Sequence, residues 1–266
     1  MKKHILYASD LDRTLIFSKR FIDESNFKGA YELVETKTNE DGSIEKISYM
    51  SPSVKEGIQK LKDNDQITFV PVTSRSLEEY NRVQLGFVPE YAIVANGGLI
   101  LHNGEIVKEW SEYIRNNVSL PRLMQLSMEL SEFKSLDPDR MPKLIDGCYL
   151  FTKTFHHQKF DEEADAISVA YEDIDFTRQG NKCYLIPKCF SKQVALRWLW
   201  NKLNKPYTIA SGDSQLDLPM LTLANKAIIP DHGALITEGI VTDARTVSGG
   251  VESPLRTIEF IKGFLE

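Results

Sequence analysis

Short apolar runs recur along this chain, and each ends abruptly in acidic, hydroxyl or glycine residues. Ile5-Leu6-Tyr7-Ala8-Ser9 stops at Asp10, and Ile67-Thr68-Phe69-Val70-Pro71-Val72 stops at Thr73-Ser74-Arg75. Tyr91-Ala92-Ile93-Val94-Ala95 stops at Asn96-Gly97-Gly98, and Tyr207-Thr208-Ile209-Ala210 stops at Ser211-Gly212-Asp213. Runs this short and this apolar are strands buried on both faces, which is the habit of a parallel sheet. Between them lie segments with apolar residues at helical spacing, such as residues 53–64 with Val54, Ile58 and Leu61, and residues 191–203. Alternation of the two predicts an α/β fold, a Rossmann-like doubly wound parallel sheet, whose polar strand ends gather on one carboxyl edge.

Two segments break the alternation. Residues 31–36 and 44–49 flank Asn39-Glu40-Asp41-Gly42, the signature of a β-hairpin. Residues 103–187 read as a separate α+β cap inserted into a core formed by 1–102 and 188–266. Inside that insertion the pattern predicts a helix over 120–133, one strand over 143–155, an acidic helix over 161–169, and strands over 171–176 and 182–186. On that division the insertion carries 15 acidic and 10 basic residues, most of the chain's net charge of −6. An acidic chain with no broad basic field excludes nucleic acid and an anionic membrane surface as partners.

The three cysteines, Cys148, Cys183 and Cys189, show neither paired spacing nor a Cys/His metal pattern, so they read as small buried apolar residues in a reducing compartment. No apolar stretch reaches the ~18–20 residues of a membrane span, and the first residues run directly into a strand-like segment. The expectation is a cytoplasmic protein, with monomer and dimer both open.

The chemistry concentrates at the strand ends. Asp10-Leu11-Asp12 places two carboxylates where one can attack and the other can move a proton. Thr73, Lys192 at the start of a helix, and Asp213 to Asp217 fall on the same predicted edge. A carboxylate that attacks a phosphate dianion meets charge repulsion, so such a site needs cations; one lysine and one divalent metal are about the minimum.

Asp10-Leu11-Asp12-Arg13-Thr14, Val72-Thr73-Ser74-Arg75, Lys192 and Gly212-Asp213-Ser214-Gln215-Leu216-Asp217 resemble, in order, the four motifs of the haloacid dehalogenase-like (HAD) phosphatases. The insertion's position between the second and third motifs resembles the Cof-type and sugar-phosphate phosphatase branch. This resemblance implies that Asp10 is the nucleophile and Asp12 the general acid and base, with Mg²⁺ held by Asp10, the Asp12 carbonyl and Asp213. It implies phosphoryl binding by Thr73 and Lys192, with Asp217 orienting Lys192 or a metal-bound water. The substrate implied is a small phosphorylated metabolite, sugar-like or polyol, with specificity residing in the cap. Ser74 and Leu216 depart from the glycine and asparagine common at their positions, and Arg13 stands where glycine is frequent.

Further candidate substrate contacts are Arg13, Arg75, Asn96, Lys143, Lys153, Arg178 and Lys188, with His156 or His157 offering at most one side chain if both lie on a strand. Trp198 and Trp200 read as core, and Asp161-Glu162-Glu163 as a solvated helix face. Two other functions remain open from the sequence: a sugar phosphomutase, and a catalytically silent binding or regulatory module on the same scaffold.

Overall fold

A computed structural model describes residues 4–137, 139–204, 206–240 and 244–265; the first three residues of the expected N-terminal run lie outside them. The chain divides into two compact units, one formed by 1–106 with 192–266 and the other by 107–191.

In chain order the strands are β1 (Ile5–Ser9), β2 (Phe17–Ser18), β3 (Glu32–Thr38), β4 (Ile44–Met50), β5 (Ile67–Pro71), β6 (Tyr91–Val94), β7 (Leu99–His102) and β8 (Glu105–Ile106). The second unit holds β9 (Lys143–Ile145), β10 (Tyr149–Lys153), β11 (Ile174–Gln179) and β12 (Lys182–Pro187). The chain then returns through β13 (Tyr207–Ser211), β14 (Lys226–Pro230) and β15 (Arg245–Val247).

The first unit is built on a parallel sheet in the order β15-β14-β13-β1-β5. β1 lies between β13 and β5, and all five of its residues are buried. That two-sided burial is why the run is apolar without alternation. A parallel bridge between Val72 and Ile93 passes the pairing on to the antiparallel β6-β7-β8. Tyr7 is fully buried inside this sheet, where its hydroxyl meets Ser211 Oγ at 2.9 Å; Ser211 Oγ in turn lies 2.9 Å from Ser9 Oγ, so the buried hydroxyls satisfy one another. The helices Pro52–Lys62 and Ser253–Lys262 pack together on this unit, burying Val54, Ile58 and Leu61 with Ile258 and Ile261.

The hairpin forms as its Asp-Gly turn requires, with β2 added beside β4. The register slips on either side of Glu35, so Val34 and Glu35 are both buried although they are neighbours. A bulge breaks the strict two-residue alternation of a strand. Here it turns a carboxylate inward.

The second unit is an antiparallel sheet, β11-β12-β10-β9, against which the helices Leu120–Ser131 and His157–Ser168 pack. A further helix, Lys108–Asn117, was not expected from the sequence; it buries Trp110 and Ile114. The single strand expected over 143–155 is two strands. Asp146 and Gly147 both adopt positive φ, 46° and 73°, and Cys148 N–H closes the turn on the Ile145 carbonyl at 2.8 Å. An Asp-Gly pair with left-handed backbone is a tight hairpin turn, and it was overlooked. His156 and His157 are likewise not on a strand: His156 caps the helix that His157 opens, and His157 Nε2 lies 2.7 Å from Asn181 Oδ1.

The unit boundaries, 107 and 191, differ from the expected 103 and 187: Glu105 and Ile106 pair with β7 of the first unit, whereas Lys188 N–H donates to the Asp173 carbonyl and the Cys189 carbonyl accepts Tyr113 O–H, both in the second. The shift changes the charge division. Residues 107–191 contain 14 acidic and 11 basic residues, a net −3, which leaves −3 for the remainder of a chain at −6. The acidity is therefore shared equally, and is not mostly the insertion's.

Candidate active site

The loop after β1 is held by its apolar residues. Leu11, Leu15 and Ile16 are at most 1% exposed, and the Leu11 carbonyl accepts the N–H groups of Thr14, Leu15 and Ile16. Asp10 N–H donates to the Ser211 carbonyl at 2.9 Å, which fixes the first motif against the end of β13.

Lys192 opens the helix Lys192–Lys202 and is 2% exposed. Its ammonium donates to Asp10 Oδ1 at 2.7 Å and to Asp217 Oδ1 at 2.6 Å. Asp217 is fully buried, and its Oδ2 accepts Asp213 N–H at 3.1 Å, Ser214 N–H at 3.0 Å and Ser214 Oγ–H at 2.8 Å. Glycine at 212 is required by this arrangement, since a Cβ there would lie 2.5 Å from Asp217 Cβ. Asp217 is thus spent on the lysine and on its own loop.

One oxygen each of Asp10, Asp213 and Asp217 lie within 4.8 Å of one another. Burial first, and then the neighbouring Asp217, push Asp10 well above the ordinary aspartate value against the pull of Lys192. Burial and Asp217 push Asp213 up to about 7, with Arg13 and Lys192 opposing. Burial works against the charge of Lys192, but Asp10 and Asp217 together outweigh it and hold the ammonium protonated. The cluster carries more negative charge than its lysine offsets. Carboxylate oxygens crowded in this way suit a hard divalent cation. Asp10 and Asp213, whose oxygens are not all consumed as those of Asp217 are, fit the role of ligands, and Asp217 lies beside them holding Lys192.

Asp12 has a different partner. Arg75 grips it with a two-pronged fork, Nε to Oδ2 at 2.7 Å and Nη2 to Oδ1 at 2.8 Å. The other side of the guanidinium faces Glu35, with Nη1 2.7 Å from Oε1, and Ser48 Oγ–H donates to Glu35 Oε2 at 2.7 Å. The Glu35 side chain is fully buried, and Arg82 Nε lies 3.5 Å from Oε1. Burial opposes the charge of Arg75, and Asp12 and Glu35 outweigh it. Glu35 and Ser48 come from the hairpin and were missed in the sequence; the only hint was an acidic residue adjoining Val34 in a strand.

Thr73 is fully buried, its Oγ1 accepting Arg75 N–H at 3.1 Å. Asn96 is tied to this loop by its own N–H, which donates to the Thr73 carbonyl at 2.9 Å. Its side-chain Oδ1 is buried with no hydrogen bond among the described residues. Arg13 reaches Asp213, Nε to Oδ2 at 3.2 Å. Of the remaining candidates, all in the second unit, Lys143 and Lys153 are exposed on β9 and β10, and Lys188 lies 3.7 Å from Asp175. Arg178 spends its fork on Asp161, at 2.8 and 2.7 Å. Glu163 accepts Lys134 N–H, Ser135 N–H and Ser135 Oγ–H, and Glu162 Oε1 accepts Gln158 Nε2–H at 2.9 Å, so all three residues expected as a solvated acidic face are engaged. All three cysteines are free thiols; Cys148 and Cys183 are buried and Cys189 is half-buried. No helix among the described residues is long and apolar enough to cross a membrane.

No family model matches the chain, and no curated protein matches it by sequence. Solved structures do match. The sucrose-phosphatase of Synechocystis sp. PCC6803, solved in complex with sucrose and phosphate, aligns with a TM-score of 0.66 at 14% identity over 98% of this chain and 99% of that one. A HAD subclass IIB sugar phosphatase gives 0.60 at 12% identity, covering 97% and 99%. A HAD-superfamily phosphatase from Bacteroides thetaiotaomicron gives 0.58 at 16%, covering 98% and 95%. The chain therefore has the fold of the HAD phosphatases over essentially its whole length.

Two outcomes follow from the charge network. Glu35→Ala should cost about 3 kcal/mol in urea unfolding, because it leaves the buried Nη1 edge of Arg75 without its carboxylate; Glu35→Ala with Arg75→Met should recover part of that loss. For the carboxylate cluster, the folded protein holds the Asp213 proton up to about 7, above its ordinary 3.8. Ionisation then disfavours the folded state, so in EDTA this group's contribution to stability falls as pH rises from about 4 to about 7. Asp213→Asn should melt above the parent chain at pH 8 in EDTA, the gap closing toward pH 4. An unchanged gap across that range would show that Asp213 carries no such burden.

Proposed function

We propose that this chain is a Mg²⁺-dependent phosphomonoester hydrolase that works through an aspartyl-phosphate on Asp10. The observation that carries the reading is the position of Asp10: at the carboxyl end of the buried β1, clustered with Asp213 and Asp217, one oxygen held by the Lys192 ammonium and the other free of protein donors among the described residues. The shared fold of sugar and other phosphatases supports it.

On this reading the second oxygen of Asp10 attacks phosphorus as the bond to the leaving oxygen breaks, and Asp12 supplies the proton that oxygen takes up. A water then attacks the phosphorus of the aspartyl-phosphate, giving its proton to Asp12, and the Asp10 carboxylate and inorganic phosphate are released. Lys192 and Thr73 are assigned to the phosphoryl oxygens, and Asp217 to holding Lys192. Asp10, the backbone carbonyl of Asp12 and Asp213 would hold Mg²⁺. When bound, the ion would offset the repulsion between carboxylate and phosphoryl group.

Asp12 must part from Arg75 to give up or take a proton, since a carboxylate in a two-pronged guanidinium fork is favoured in its ionised form. A small sugar or polyol phosphate is the substrate class we favour, with the inserted unit selecting among leaving groups. Lys143, Lys153 and Lys188 stay candidates for that selection more readily than Arg178, whose donors are engaged.

Phosphate release from a panel of sugar, polyol, glycerate and nucleotide monophosphates tests the proposal directly. Asp10→Asn should lower turnover at least about a thousandfold, the scale of losing a covalent nucleophile, and EDTA should abolish it until Mg²⁺ is restored. Equal turnover by Asp10→Asn would refute the mechanism. Isomer formation without phosphate release would point to a phosphomutase.

A further inference from the structure

Arg13 holds a backbone conformation that costs an L-residue energy: its φ is 60°, in the left-handed region where glycine is at ease. A chain that needed only a turn there would gain by having glycine. What the position gains from arginine is a guanidinium anchored on several sides. Nη2 donates to the His232 carbonyl at 3.0 Å, and His232 Nε2–H donates back to the Arg13 carbonyl at 2.8 Å. The guanidinium lies 5.3 Å from the centre of the Phe21 ring, and that ring lies 4.7 Å from the His232 imidazole. Burial lowers the pKa of His232, so the ring donates through Nε2 as a neutral imidazole. The result of these contacts is to bring Nε within 3.2 Å of Asp213 Oδ2.

We infer that Arg13 is a positioning residue that competes with the divalent cation for Asp213 and thereby sets the affinity of the site for that cation. The inference rests on the reading of Asp213 as a ligand given above. A cation arriving at Asp213 meets a carboxylate oxygen already engaged by a positive group, and must bind beside a unit charge that His232 and Phe21 keep in place. In the cation-free protein the same guanidinium, 3.2 Å from Oδ2, offsets part of the negative charge of Asp213. Arg13 therefore acts in opposite directions on the two states: it stabilises the empty cluster and weakens the filled one. Half of the Arg13 side chain is exposed, so the competition is moderate and screened by solvent.

Isothermal titration of the full chain with MgCl₂, and with MnCl₂ as a second probe, separates this inference from the reading beneath it. Arg13→Ala should tighten cation binding about tenfold while lowering the melting temperature in EDTA, and Arg13→Lys should fall between Arg13→Ala and the parent chain. Asp213→Asn should lose measurable binding. A purely structural arginine would lower the melting temperature without tightening the cation. If Asp213→Asn abolishes binding and Arg13→Ala binds as weakly as the parent chain or more so, the inference is wrong. If Asp213→Asn binds as the parent chain does, the ligand reading fails instead. Should Arg13→Ala fold poorly, Arg13→Gly suits the left-handed backbone and removes the same charge; unchanged affinity there overturns the inference equally.

Discussion

A charged ammonium buried at 2% exposure is tolerable only if its neighbours replace the water it gave up, and around Lys192 two carboxylates do so. This requirement reaches far along the chain. Asp217 must lie close beneath its own loop, which demands glycine at 212 and converts the N–H groups of 213 and 214 into donors for Oδ2. Asp10 must leave β1 at the level where Lys192 begins its helix. Three segments distant in sequence are therefore locked by one cation, and neutralising the lysine would leave two buried carboxylates without their counter-ion.

The other carboxylates are distributed by the same logic, each with its own cation: Asp12 with Arg75, Asp213 with Arg13. Pairing of this kind separates roles that four aspartates at one sheet edge would otherwise share. Asp217 is consumed by support. Asp10 keeps one oxygen clear of protein donors among the described residues, and Asp213 is held by a partner that is half exposed and therefore replaceable. Environment, more than residue type, assigns the parts.

What could be read from the sequence follows this division. Asp10, Lys192, Asp213 and Asp217 were legible because each adjoins an apolar run or opens an amphipathic helix, and parallel strands bring such ends to one edge. Glu35 was not, because alternation along β3 would send one of Val34 and Glu35 outward, and only the bulge buries both. His232 was not, because it touches Arg13 through the return after β14, a closure across more than two hundred residues that no local pattern records. In the insertion the failure was local: Asp146-Gly147 carried the turn signal that divides residues 143–155, but the flanking apolar residues read as continuous. The strand pairing of Glu105 and Ile106 at one boundary and the tie of Lys188 to Asp173 at the other moved the unit limits by a few residues, and with them the apparent concentration of acidity in the insertion.

On the proposed mechanism, the buried Glu35 also bears on how Asp12 would serve as an acid. Were Arg75 paired with Asp12 alone, opening that fork would leave a guanidinium, 11% exposed, without a counter-ion, and the cost would fall on every proton transfer. Glu35, fixed by Ser48 and also close to Arg82, meets Nη1, which the Asp12 fork does not use. It supplies the charge balance that remains when Asp12 turns away. Asp12, whose side chain is 46% exposed, can then exchange its protein partner for water at a smaller cost than a fully buried acid would meet. On that proposal the hairpin would contribute to the chemistry by keeping Arg75 paired, so that Asp12, two residues from the proposed nucleophile Asp10, is held but not trapped.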